Sequence, residues 1–275
     1  GGDIAYRRGA WLGGARFELP TTSVDANAEI AKLAAVGAGA GNDHLSRARS
    51  IYGLTVDVSN RLGGLRTVQP GSGYPANTDL SRKLQLAATL LGAGLGTRII
   101  TIDWGSFDTH GDQLASQDPQ LSVLSRGLAA FKDDLAARGA ARLLSVLIGL
   151  QADGRVAQVC LTGGRIAMAV YARLGELVEG SALDPSRLEL WWGDERFVPT
   201  GDPERNAGPT LALLASHFAV DPARTHPMPS ADGVIDAAAS AATYAKELGD
   251  TRFDLCLLGM GPDGHVASIF PNHPS

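Results

Sequence analysis

Apolar positions change their spacing near residue 140, and that change is the first sign of how the chain is organised. Up to about Arg138 the sequence is rich in Gly, Ser and Asn, with few periodic elements before residue 80. A helical pattern then covers Leu80 to Leu91, followed by Gly92, Gly94 and Gly96 and a short β-type run, Arg98-Ile99-Ile100-Thr101-Ile102. A longer amphipathic pattern sets Leu121, Leu124, Leu128, Phe131 and Leu135 at helical spacing and ends near Gly139, a residue type that often terminates helices.

From Ala141 onward, apolar strands alternate regularly with helices. The pattern predicts a helix over Arg142 to Leu150, a strand over Val156 to Leu161, and a helix burying Ile166, Val170, Leu174 and Leu177. A strand over Leu188 to Trp192, helices over Thr210 to Phe218 and Ile235 to Leu248, and a strand over Phe253 to Leu258 follow. Such alternation predicts an α/β fold, a parallel sheet with helices on both faces. The expected boundary is Gly139 to Ala141, dividing the chain into residues 1–140 and 141–275. One helix continuing across it is the alternative.

Composition narrows the classes. Of 275 residues, 44% are hydrophobic and 19% charged, as in a globular protein, and no apolar stretch is long enough to span a bilayer. A net charge of -5 without long runs gives no electrostatic footprint for nucleic acid or for an anionic membrane, so an anionic ligand needs a locally built positive site. Cys160 and Cys256 each sit in an apolar run and are expected to be inert buried thiols; a bridge or a catalytic pair is the alternative. Gly1 at the start and His273-Pro274-Ser275 at the end lead us to expect a chain cut from something longer.

Candidate chemistry falls at three predicted strand ends, where ligands bind in an open parallel sheet. Thr162-Gly163-Gly164 joins a strand to a helix and leaves free N–H groups at a positive helix terminus, suited to phosphate or an oxyanion. A tight turn is the alternative reading. Asp194, Glu195 and Arg196 follow the next strand, either as a salt-bridge set stiffening the turn or as groups that orient a proton-transfer residue and pair with phosphate. Asp202 and Asn206 lie in the same polar stretch as candidate pocket residues. In the third loop, Gly259, Gly261 and Gly264 allow close approach to a ligand. His265 has the imidazole a general base requires, and Asp263 stands near enough in sequence to fix its tautomer.

Leu161 to Gly164, Trp192 to Pro199 and Gly259 to Pro271 resemble, in order and approximate spacing, the 6-phosphogluconolactonase family over about the last 135 residues. The related glucosamine-6-phosphate deaminases share the Asp-Gly-His loop but differ just after it, where this chain has Ala267-Ser268-Ile269-Phe270-Pro271. The resemblance implies a Rossmann-like sheet, cytoplasmic hydrolysis of 6-phosphoglucono-1,5-lactone in the pentose phosphate pathway, and no metal or organic cofactor. It implies His265 as the base, with Asp194, Glu195 and Arg196 near the substrate. Thr162, Gly163, Gly164, Asn206, Gly259, Gly261, Asp263 and Gly264 become substrate or phosphate contacts. An amino-sugar-phosphate isomerase or deaminase and a non-catalytic sugar-phosphate binder are the alternatives.

Two departures accompany the resemblance. Arg165 follows the Gly pair where the family commonly has a small hydroxyl or amide residue, so the phosphate contact is expected to differ there. Family members also continue past the histidine loop, so the sheet is expected to be incomplete. Residues 15–139, mainly through Trp104 to Gln113, resemble a fragment of the uncharacterised sulfatase-like proteins of the alkaline-phosphatase-like superfamily, a different α/β fold. Asp108 and His110 there are of metal-ligating type, with a helix-capping turn as the alternative. The expected whole is a composite of two pieces joined near residues 139–142.

Overall fold

A computed structural model describes residues 71–272, apart from 94–96, 98, 106, 109 and 234–235. Expectations resting on residues 1–70, Gly94, Gly96, Arg98, Ser106, Thr109, Ile235 and His273-Pro274-Ser275 lie outside the described residues. The chain divides into two compact units, Gly1–Leu135 and Ala136–Ser275.

In the described part of the first unit, helix α1 (Asp79–Gly92) starts at Thr78, whose hydroxyl accepts the N–H of Ser81 at 3.1 Å. Of the expected strand over residues 98–102, the described residues 99–102 pair with no other strand among the described residues, and Ile99 is 80% exposed. An apolar β-branched run has no reason to remain extended without a partner ladder. Asp108 and His110 are exposed and 3.3 Å apart, and no group of three candidate metal ligands exists among the described residues.

Helix α2 (Gln113–Gln151) replaces two expected helices by one. Gly139 does not terminate it. A β-carbon there would lie 3.2 Å from a Val170 methyl, so this glycine admits a neighbouring helix rather than ending its own. The buried face also differs from the expected one: Ala136, Ala140, Leu143 and Leu147 are buried, while Leu121 and Leu128 are exposed.

The second unit holds a four-stranded parallel sheet of order β3-β2-β1-β4, built from β1 (Ala157–Leu161), β2 (Leu188–Trp192), β3 (Thr225–His226) and β4 (Leu255–Cys256). Helices α3 (Arg165–Val178), α4 (Ala207–Ala215) and α5 (Ala237–Leu248) complete the unit. Side chains alternate across the sheet as strand geometry requires. Val159, Leu161, Leu190 and Trp192 join one cluster with Leu147, Tyr171, Leu174 and Leu214; Cys160 and Trp191 join a second with Tyr244. The α/β class and the parallel sheet stand as expected. On α3, however, Tyr171, Leu174, Gly175 and Val178 are buried, and Ile166 and Leu177 are exposed.

The expected strand over residues 253–258 is shorter, although Asp254 N–H to Gln158 O (2.9 Å) and Leu257 N–H to Cys160 O (2.9 Å) extend its pairing. Cys256 corrects an expectation: it is exposed, because β4 is an edge strand, while its register partner Cys160 is buried. Burial, with the neighbouring Cys256 thiol, pushes Cys160 up to about 12. Both thiols are free.

Two buried tyrosines hold the carboxyl ends of the central strands. The Tyr171 hydroxyl on α3 donates to Thr162 O (2.9 Å) and accepts from Thr162 N–H (3.1 Å). That of Tyr244 on α5 donates to Trp192 O (3.0 Å) and accepts from Trp192 N–H (3.0 Å). Burial raises both phenols to about 12. At the β3 edge, His226 stacks on Trp191 at 3.9 Å and bonds Glu247 and Glu189, each at 2.7 Å, while Arg224 pairs with Glu189 at 2.9 Å. Burial alone would lower the His226 imidazole, but its bonds to the two glutamates outweigh that and raise it above 6.5.

Tyr171→Phe and Tyr244→Phe should each cost roughly 1–3 kcal/mol in denaturant unfolding, since each strips an N–H and a C=O of their partner, part-buried at Thr162 and buried at Trp192; a loss of a few tenths would contradict the clamp. A raised folded-state value means that the His226 contribution to stability is fully present below about 6.5 and is lost as pH rises through the folded-state value. Unfolding midpoints should therefore fall across that window in the parent and less in His226→Gln, and parallel curves would contradict the linkage.

Candidate active site

Strand order sets the position of the site. β2 lies on one side of β1 and β4 on the other, so the chains leaving β1 and β4 diverge and open a crevice at the carboxyl edge. A cavity of about 830 Å³ occupies this edge. Its wall takes Thr162, Gly163 and Gly164 from the first loop, Asp194, Arg196 and Asn206 from the second, and Gly259, Gly261 and His265 from the third. Glu195, Asp263 and Gly264 do not line it.

The first loop is shaped by close approach. A β-carbon on Gly163 would collide with the Asn206 side chain, and Gly164 has φ 96°, in the region open to glycine. No side chain caps α3 at Gly164, so the orphan N–H groups of its first turn face the crevice edge. Arg165 opens that helix and also lines the cavity.

The second loop separates its charged residues. Glu195 turns inward: its carboxylate accepts the N–H of Asn206 (2.6 Å) and of Ala207 (2.9 Å) and lies 3.6 Å from Arg205, with side chains 2% and 4% exposed respectively. The expectation that Glu195 stands with the catalytic groups is corrected by this geometry, because the start of α4 and the buried guanidinium use its oxygens. Arg205 further donates to Met228 O at 2.6 Å, tying the loop to the segment before α5. The same carboxylate explains why α4 starts three residues before the expected Thr210: a residue distant in sequence caps it. Asp202 does not line the cavity and instead accepts the N–H of Glu204 at 2.8 Å. Asn206 donates to Asp194 O at 3.0 Å, closing the second loop on itself, while its side chain packs against Gly163 of the first loop.

In the third loop a turn closes from Gly264 N–H to Gly261 O (3.0 Å), and Gly261 N–H bonds His265 O at 2.9 Å. The His265 ring packs so tightly on Gly261 that a β-carbon there would displace it. Asp263 Oδ1 lies 2.5 Å from His265 Nδ1, and this bond holds the Asp263 carboxyl below its usual range. Reciprocal bonds between Val266 and Ile269 (3.2 and 2.9 Å) close a two-residue hairpin whose centre, Ala267 (φ 48°) and Ser268 (φ 60°), sits in the left-handed region without glycine. That turn delivers the Ser268 hydroxyl to Asp194 Oδ2 at 2.6 Å.

Ser268 and Arg205 thus escaped the sequence reading. A serine inside a matching motif hints at the first; nothing local announces the second.

The model of the family described as glucosamine-6-phosphate isomerases/6-phosphogluconolactonase matches residues 130–275, more than half of the chain. This chain belongs to that family. The 6-phosphogluconolactonase of Streptomyces coelicolor is 44% identical over 171 residues, which cover 58% of this chain and 64% of that protein. That of Mycobacterium leprae is 37% identical over 161 residues, covering 54% and 64%. The chain therefore spans less than two thirds of the length of these relatives. A solved 6-phosphogluconolactonase from Thermotoga maritima is 28% identical with a TM-score of 0.43, covering 48% of this chain and 58% of that one. No helix among the described residues of this family member is long and apolar enough to cross a membrane.

Glu195→Ala leaves the Arg205 charge unpaired and two helix-start N–H groups unsatisfied, so it should cost about 3–5 kcal/mol in denaturant unfolding. Asp194→Ala should cost far less. Equal losses in the two variants would contradict the structural part given to Glu195.

Proposed function

We propose that this chain carries the site that hydrolyses 6-phosphoglucono-1,5-lactone to 6-phosphogluconate, a step of the pentose phosphate pathway. The observation that carries the reading is a single cavity in which His265, tautomerically fixed by Asp263, shares a wall with the uncapped Gly163-Gly164 turn and with Arg196. Curated relatives named 6-phosphogluconolactonase support it.

Chemistry follows from the donor set. An ionised Asp263 has no proton to give, so the 2.5 Å bond requires the hydrogen on His265 Nδ1, and the neutral imidazole so held presents its lone pair at Nε2. Nε2 takes a proton from water as the oxygen attacks the lactone carbonyl carbon. The oxyanion formed is stabilised by Arg196, whose guanidinium has no carboxylate partner among the described residues, and by glycine-loop N–H groups. Collapse breaks the bond from the carbonyl carbon to the ring oxygen, and His265 returns its proton to the departing alkoxide, giving the open hydroxy acid. Asp194, held by Ser268 and Asn206, orients the substrate hydroxyls. The Thr162-Gly163-Gly164 turn receives the phosphate, Gly259 lets the sugar approach the backbone, and Gly261 leaves room for the His265 ring.

His265→Ala should lower lactone turnover by about 100-fold or more, followed as acid release. An unchanged rate, or release of ammonia from glucosamine 6-phosphate by the parent, would overturn the assignment.

A further inference from the structure

The cavity wall contains a cation that the proposed reaction leaves without a task. Arg155, Arg173, Arg187, Arg205 and Arg224 in this unit each pair with a carboxylate. Arg165 lines the cavity, is exposed, and has no carboxylate partner among the described residues. It directly follows Gly164 at the uncapped start of α3 and lines the same cavity as that turn, so its side chain extends from the helix start that carries the free N–H groups. His265 belongs to the third loop, beyond β4, so Arg165 is set on a different wall element from the base. The chain carries a net charge of -5, so attraction for a dianion has to come from local cations of this kind.

We propose that Arg165 is a specificity-determining residue that reads a terminal phosphomonoester and so discriminates phosphorylated from unphosphorylated sugar lactones. The proposal rests on the lactonase reading above and adds to it the residue responsible for substrate class. A guanidinium presents a rigid fork that matches two phosphate oxygens, and its charge persists at any working pH. Neutral lactones gain nothing from it. The backbone turn alone would bind an anion with little preference for its charge, whereas the added side chain rewards the second negative charge.

The test compares parent, Arg165→Gln and Arg165→Lys with 6-phosphoglucono-lactone and with unphosphorylated glucono-lactone, reading KM and kcat separately. Calorimetric binding of 6-phosphogluconate and gluconate is measured on the same samples. A charged hydrogen-bond pair of about 1.5–3 kcal/mol corresponds to a roughly 10- to 100-fold rise in KM for the phosphorylated lactone in Arg165→Gln, with kcat nearly unchanged. Lys should recover part of the loss, and constants for the unphosphorylated compounds should not move. Equal constants for parent and Arg165→Gln, or equal losses with both substrates, overturn the proposal while leaving lactone hydrolysis standing. A parent that binds 6-phosphogluconate and turns over neither lactone overturns the hydrolytic reading, and the calorimetric comparison then decides Arg165 alone. A parent that binds neither acid and hydrolyses neither lactone overturns both.

Discussion

Two phenolic hydroxyls, each bonded to both backbone polar groups of one residue, hold the carboxyl edge of the sheet. Tyr171 fixes Thr162 and Tyr244 fixes Trp192, the points at which β1 and β2 give way to loops. The tyrosines come from α3 and α5, and they join the two different side-chain clusters of the sheet. Strand ends are where ladder pairing stops and backbone groups would otherwise need water. By satisfying them internally, the tyrosines close the edge beneath while it stays open above, and all three loops that line the cavity depart from that edge.

From this base, each loop is tied to another. Asn206, held to Asp194 O within its own loop, packs the second loop against the first at Gly163, and Ser268 joins the third to the second through the Asp194 carboxylate. The Glu195 and Arg205 pair anchors the second loop from below. Buried ion pairs are weak evidence for net stability, but they resist rearrangement because separating the partners strands a charge. The cavity thus has a framed floor and a linked rim.

Much of this was legible in the residues. β2 has the expected bounds and β1 begins one residue late, since their apolar runs are long and β-rich. Convergence of the three loops was readable because a parallel sheet collects all its strand carboxyl ends on one side. What escaped depends on contacts between distant residues. Gly139 looks like a helix stop unless Val170 is known to press on it. Glu195 looks like a catalytic carboxylate unless the start of α4 is seen to use both its oxygens. β3 is two residues long and lacks an apolar run; its place comes from pairing with Leu190 and Trp191. Cys256 shares the apolar texture of Cys160, and only the strand order leaves it exposed.

The hairpin centred on Ala267 and Ser268 carries a thermodynamic consequence. Two non-glycine residues in the left-handed region cost on the order of 1–3 kcal/mol each, and the cost is met when the chain folds. A ligand arriving at the proposed site would find the Ser268 hydroxyl already aimed at Asp194, with no torsional search left to make. Association then loses less configurational freedom than it would with a floppy rim, and more of the contact energy remains as affinity.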